Sequence, residues 1–173
     1  MQSNEKLPAG TTFPDLSVGR VGGGTIAPAA GSGWRVVIVY RGRHCPLCKK
    51  YLNGLNEMLG EFEAEKVAVV AISADPVEKA QADVAEFGWK FPVGHDLSIA
   101  QMRLLGTYVS TPRSSEETDR PFSEPGLFVI NPEGRVQIVD ISNAPFARPD
   151  LALILRGIKF VHERKSPIRG TLV

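Results

Sequence analysis

Val36-Val37-Ile38-Val39-Tyr40-Arg41-Gly42-Arg43-His44-Cys45-Pro46-Leu47-Cys48-Lys49-Lys50 runs from an apolar stretch through a basic loop into a Cys-x-x-Cys pair. The apolar stretch reads as a buried strand, and the apolar positions after Pro46 recur at helical spacing, so both cysteines fall at a strand-to-helix junction. They are the only two cysteines in the chain. First-turn N–H groups of a helix have no intrahelical acceptor, so they favour a thiolate over a thiol, and Arg41, Arg43, Lys49 and Lys50 add positive charge nearby.

Three uses of such a pair compete. Structural zinc needs four ligands, which His44, His95 and His162 would complete only by long-range convergence. Two inert cysteines would pack as small hydrophobes, yet inert cysteines seldom come as a spaced pair beneath a cluster of cations. Redox chemistry accounts for the spacing and the charge together. Cys45, at the helix entrance, is expected to be the more accessible thiol, with Cys48 one turn further in.

The rest of the chain bounds where that chemistry sits. At 173 residues and 43% hydrophobic content, a single domain over residues 1–173 can bury a continuous core without staples. Twenty basic against nineteen acidic side chains give a net charge of +1, which calls for no nucleic-acid partner. Met1 to Gly10 is polar, and no apolar run approaches the roughly 20 residues that span a bilayer. The expectation is a cytoplasmic protein with no membrane contact, where a cysteine pair is transient and catalytic.

Upstream of the junction, Gly10 to Leu16 is an extended entry segment, because Pro14 fixes its own φ and pushes Phe13 out of the helical region. Gly22-Gly23-Gly24 is a turn, with short strands on either side. Downstream, Leu47, Tyr51, Leu52, Leu55, Met58, Leu59 and Phe62 form one helical stripe, and the helix is expected to stop near Gly60 or a turn later. Val67 to Ser73 is a second buried strand of parallel type. Asp75 is expected to cap a helix with Pro76 at its first position and Gly88 at its end. Phe91-Pro92-Val93 reads as a short edge segment, followed by a helix from about Ser98 to Leu105. Residues 106–124 are polar and rich in turn formers, and read as a mobile loop. Leu127–Ile130 and Arg135–Ile141 form a hairpin about Asn131-Pro132-Glu133-Gly134, and a last helix follows Pro149. Helix-linked strands pair in parallel and the tight turn forces antiparallel pairing, so the class is α/β with a central mixed β-sheet flanked by helices on both faces.

This order, with Cys-x-x-Cys after the first core strand, resembles the thioredoxin-like fold. More closely, it resembles the peroxiredoxin-like branch of the alkyl hydroperoxide reductase and thiol-specific antioxidant (AhpC/TSA) superfamily. Three pieces carry the likeness: Gly10 to Leu16, Tyr40 to Cys48, and Pro125-Gly126-Leu127-Phe128-Val129-Ile130-Asn131-Pro132-Glu133-Gly134. Matched on Tyr40 to the family's Pro-x-x-x-Thr-x-x-Cys motif, Arg41 takes the proline position, Cys45 the threonine position and Cys48 that of the peroxidatic cysteine. The arginine that usually precedes the Gly-Leu-Phe strand is Pro125 here, and Arg41 or Arg43 could replace its guanidinium.

The resemblance implies an antioxidant, thiol-dependent oxidoreductase with no cofactor and no metal. In the thioredoxin pattern Cys45 attacks, Cys48 resolves, Pro125 is a cis-proline facing the pair, and His44 stabilises the thiolate. In the peroxidase pattern Cys48 attacks peroxide and Cys45 resolves. A third possibility is a non-catalytic redox-sensing module acting through residues 106–124. The implied partners are a disulfide or hydroperoxide substrate, a thioredoxin- or glutathione-type reductant, and a second copy in a homodimer.

Overall fold

The computed structural model describes residues 5–172; Met1 to Asn4 and Val173, part of the expected 1–173 domain, lie outside the described residues. In chain order the elements are β1 (Val18–Arg20), β2 (Thr25–Ile26), β3 (Trp34–Val39), α1 (Pro46–Glu57), α2 (Leu59–Ala64), β4 (Val67–Ile72), α3 (Val77–Phe87) and β5 (Val93–His95). There follow α4 (Ile99–Leu104), β6 (Val109–Ser110), β7 (Phe122–Ser123), β8 (Gly126–Ile130), β9 (Val136–Ile141) and α5 (Leu151–Arg164). Seven strands form one mixed sheet in the order β2-β1-β5-β4-β3-β8-β9. β3, β4 and β5 are parallel, while β8 and β9 run antiparallel to their neighbours.

β3 is the middle of the molecule because both its faces are apolar. Val36, Ile38 and Tyr40 enter one core layer with Leu52 and Leu55 of α1, Phe62 of α2, Ala80 of α3, and Leu155 and Ile158 of α5. Val37 and Val39, on the opposite face, pack with Phe13 and Leu16 of the entry segment and Met102 of α4. Period-2 alternation thus sorts one strand into two hydrophobic layers, which is what fixes its register against β4 and β8. Burying side chains of this size stabilises the fold by about 1.5–3 kcal/mol each.

Several local expectations change. The helical run ends at Ala64, a turn beyond Gly60 as expected, but it is broken at Met58 into α1 and α2. Pro76, not Asp75, is the residue preceding the first turn of α3, and no side chain caps it. Asp75 turns inward instead and accepts from the Arg43 backbone N–H at 2.7 Å. Gly88 closes α3 in the left-handed region at φ 65°. β5 is not an edge: it lies between β4 and β1.

Residues 106–124 fold back as a packed cover beside the cysteine pair rather than standing off as an open loop. β6 and β7 pair within it, and Thr118, Phe122 and Glu124 are buried. Ion pairs tie it down, from Lys79 to Asp119 at 2.8 Å and from Arg120 to Asp96 at 3.1 Å. Its polar composition reflects salt links to the body of the protein, which composition alone does not separate from solvation.

Candidate active site

β3 delivers the chain to Gly42, whose φ of +128° only glycine adopts readily, and a Cβ there would lie 2.6 Å from an Asp75 carboxylate oxygen. On either side of this turn the two arginines part. Arg41 pairs with Glu124 at 3.0 Å and Glu117 at 3.7 Å and stays beside the cysteines. Arg43 leaves them for α3, pairing with the buried Asp83 and, at 2.8 Å, with Glu86.

Cys45 is the N-cap of α1. Its backbone is extended, Pro46 opens the helix, and its Sγ accepts from the Cys48 N–H at 3.3 Å. The Cys48 thiol beside it, that N–H and the Arg41 guanidinium lower the Cys45 pKa to about 6, overcoming the opposing effect of burial. Burial and the hydrogen bond with Cys45 push the Cys48 thiol well above its ordinary value. At neutral pH the pair is therefore one thiolate facing one thiol.

Arg148 completes the site, and nothing in the sequence reading singled it out. Its Nη2 donates to the Cys48 Sγ at 2.6 Å, and its guanidinium lies 5.1 Å from the centre of the Tyr51 ring. Its Nε and Nη1 are buried and have no hydrogen-bond partner among the described residues. Tyr51 fixes the loop that carries it by donating to the Pro149 carbonyl at 2.7 Å. Topology held the missing signal: β8 is antiparallel to both β3 and β9, so the β9–α5 connection leaves the sheet at the same edge as the β3–α1 connection.

Of the residues expected at the site, Cys45, Cys48 and Arg41 come together, while Arg43, His44 and Pro125 do not play the parts expected. Arg43 is committed to α3 and cannot supply the missing guanidinium. Burial, then the nearby Arg41 charge, lowers the His44 pKa to about 4, so its ring is neutral at pH 7 and lends the thiolate no positive charge. That ring packs against Phe122 of the cover, 4.6 Å between centres, and neither nitrogen has a partner among the described residues. No peptide bond among the described residues is cis, so Glu124–Pro125 is trans and the cis-proline assignment falls. Pro125 instead helps line a small crevice with Tyr51 and Arg148.

The expected accessibility of Cys45 is also corrected. Cys45 is 1% exposed and Cys48 0%. The cover seals one flank, with Phe122 on His44 and Glu117 and Glu124 on Arg41; Arg148 seals the other. Two adjacent sulfurs of unequal acidity, closed off from bulk solvent, can receive a small oxidant and close on each other, provided a flank opens.

Comparison with solved structures places the fold. A mutant of the Peroxiredoxin 6 of Arenicola marina superposes with a TM-score of 0.77 at 19% identity, covering 92% of this chain and 76% of that one. A peroxiredoxin-like protein from Aquifex aeolicus gives 0.77 at 18%, covering 91% and 89%. The Peroxidoxin BcpB from Mycobacterium tuberculosis gives 0.72 at 23%, covering 88% and 98%. No curated protein matches the chain. The AhpC/TSA family, however, matches residues 9–139, a span that runs from the entry segment through the cysteine pair and the cover into β9. The chain therefore belongs to the AhpC/TSA family and is a thiol-dependent oxidoreductase.

Proposed function

We propose that the chain reduces hydroperoxides, with Cys45 as the attacking thiolate and Cys48 as the resolving thiol. The observation that carries this is the split ionisation of the pair: Cys45 is held as thiolate by the Cys48 thiol, the Cys48 N–H and Arg41, while Cys48 keeps its proton. The Cys45 thiolate attacks the terminal peroxide oxygen, becoming a sulfenic acid as the O–O bond breaks, and the leaving alkoxide or hydroxide takes a proton from water to depart as alcohol or water. Cys48 then displaces hydroxide, which leaves as water with the Cys48 proton, and a Cys45–Cys48 disulfide remains. The near-complete burial of both sulfurs favours a small hydroperoxide over a protein disulfide as oxidant. A thioredoxin- or glutathione-type reductant returns the disulfide to the dithiol, and the cycle suits a reducing, cytoplasmic setting.

A second reading rests on Arg148, whose contact with the Cys48 Sγ would suit Cys48 as the attacking sulfur. Single-cysteine variants decide between the two. With Cys48→Ser, one equivalent of hydrogen peroxide should leave a sulfenic acid on Cys45, trapped by dimedone, and Cys45→Ser should remain unoxidised over the same time. The opposite labelling would make Cys48 the attacking sulfur.

A further inference from the structure

The sheet is left bare at the end of β3 that lies away from the cysteines. A central parallel strand is ordinarily covered on both faces. Ala68, in β4 between β3 and β5, is nevertheless exposed, and Val70 on the same face is only partly buried. The register sets these two beside Arg35 and Val37 of β3. Here, bounded by β1, β2 and the turn at residues 28–31, lies a cavity of about 230 Å³. Arg20 and Arg35 line it, Ile26, Val70 and Pro92 are among its apolar walls, and no Asp or Glu borders it.

Arg35 is 6% exposed and pairs with no carboxylate among the described residues. Its Nη1 donates to the carbonyls of Pro28 at 2.7 Å, of Ala29 at 3.4 Å and of Gly31, and its Nη2 to the Asn131 carbonyl at 3.2 Å. A guanidinium carries five N–H donors, so these bonds leave the Nε hydrogen and a second Nη2 hydrogen unused. The Nε is buried without a partner among the described residues. Nε and Nη2 share one edge of the planar group, and on such an edge a carboxylate accepts two parallel hydrogen bonds. The arginine is held in place before any ligand arrives: a Cβ at Gly31 would lie 2.9 Å from the Arg35 Cδ, so the turn closes tightly around it.

We propose that this cavity binds a small monocarboxylate with a compact apolar body, its carboxylate on the Nε–Nη2 edge of Arg35 and its body against Ile26, Val70 and Pro92. Three observations support it. Charge is the first: two arginines and no acid border the cavity, and Arg20, exposed at the rim, forms no ion pair among the described residues that would cancel its pull on an anion. The second is size. At roughly 30 Å³ for each water-sized unit, the cavity holds about eight heavy atoms, the scale of a simple aromatic or branched acid. The third is the nature of the walls. A second anionic group on the ligand would be pressed against apolar side chains, which disfavour it, so one charge suits the site better than two. The cavity shares no lining residue with the sulfur pair or its two arginines, and the proposal therefore stands apart from the peroxide cycle.

Benzoate is the probe, titrated into the full-length reduced protein while the Arg35 Nε–H cross-peak is followed in nitrogen–proton correlation spectra. That peak should move saturably at millimolar benzoate, together with the Ala68 and Val70 amides, while the Cys45 and Cys48 amides stay in place. Benzyl alcohol, which has the ring without the charge, should bind about tenfold more weakly or worse. Acetate, which has the charge without the ring, should do the same. Ala68→Leu fills the cavity from β4 and leaves Arg35 and its carbonyl partners intact, and should weaken benzoate binding about tenfold. Arg20→Gln, at the rim, should weaken it about threefold. No movement of the Arg35 peak overturns the proposal, as does movement centred on the cysteines instead. Equal binding of benzyl alcohol would reduce the site to an apolar hollow, and equal binding of acetate would reduce it to a general anion effect. Unchanged affinity in Ala68→Leu would place the benzoate elsewhere. Each of these three results also overturns the proposal.

Discussion

The two flanks of the sulfur pair each present an arginine, and the arginines live in opposite surroundings. Arg41 sits under the cover, paired with Glu117 and Glu124 and lying 4.8 Å from the centre of the Phe122 ring. Arg148 sits on an open groove, donates to the Cys48 sulfur and pairs with no carboxylate among the described residues. The same guanidinium group thus serves two ends. On the first flank its charge is largely answered by carboxylates, and what remains tunes an acidity. On the second it is unanswered and free to be displaced. Partial neutralisation explains how Cys45 can be a thiolate without the site becoming an open anion trap.

The sharpest way to break this contrast is Arg148→Ala. Losing a charge-assisted hydrogen bond should slow disulfide closure about 10–100-fold, read as the decay of the Cys45 sulfenic acid after one equivalent of peroxide. An unchanged decay would deny Arg148 any part in the resolving step. Arg41→Ala should raise the Cys45 midpoint from about 6 by roughly one unit, followed through thiolate ultraviolet absorbance against pH. Arg148→Ala should move that midpoint less; equal movement would erase the difference between the flanks.

Glu124→Gln is the finer probe. It leaves Arg41 with less carboxylate to answer, so the Cys45 midpoint should fall by a few tenths of a unit, opposite in direction to Arg41→Ala. The smallest effect concerns His44. Its folded pKa of about 4 lies below the ordinary value of 6.5, so between these the unfolded chain binds more protons. Its neutrality therefore stabilises the fold fully above the unfolded value, and that contribution is lost as pH falls from about 6.5 towards 4. Replacing it by His44→Phe, which keeps a ring against Phe122, should flatten the urea-midpoint profile in that window. A slope identical to the parent's would place the proton uptake elsewhere.

The sequence made most of the frame legible, because the frame rests on local patterning. The two-faced apolar run of β3, the i, i+3, i+4 stripe of α1, and the Asn131 to Gly134 turn are each written in adjacent residues. The sulfur pair was legible for the same reason, since Cys45 and Cys48 share one helical turn. What escaped depends on contacts between distant segments. Arg148 reaches Cys48 across 100 residues, and no spacing rule announces it. Arg43 looked equivalent to Arg41 until Gly42 turned the chain between them towards Asp75. Asp75 had the composition of a cap and the location of a buried acceptor, and only the tertiary contact with Arg43 separates those roles. The cover misled because its charges also pair with Lys79, Asp96 and Arg41, which tie it to the body of the protein.

The placement of both sulfurs within the first turn of α1 has a further consequence for damage. In the proposed cycle a sulfenic acid formed on Cys45 would already have Cys48 as its neighbour, so ring closure would require no melting of the helix. The interval in which a second oxidant molecule could carry it on to the irreversible sulfinic stage is accordingly brief. On that cycle the enzyme should tolerate oxidant bursts, losing little of its sulfur to dead-end acids.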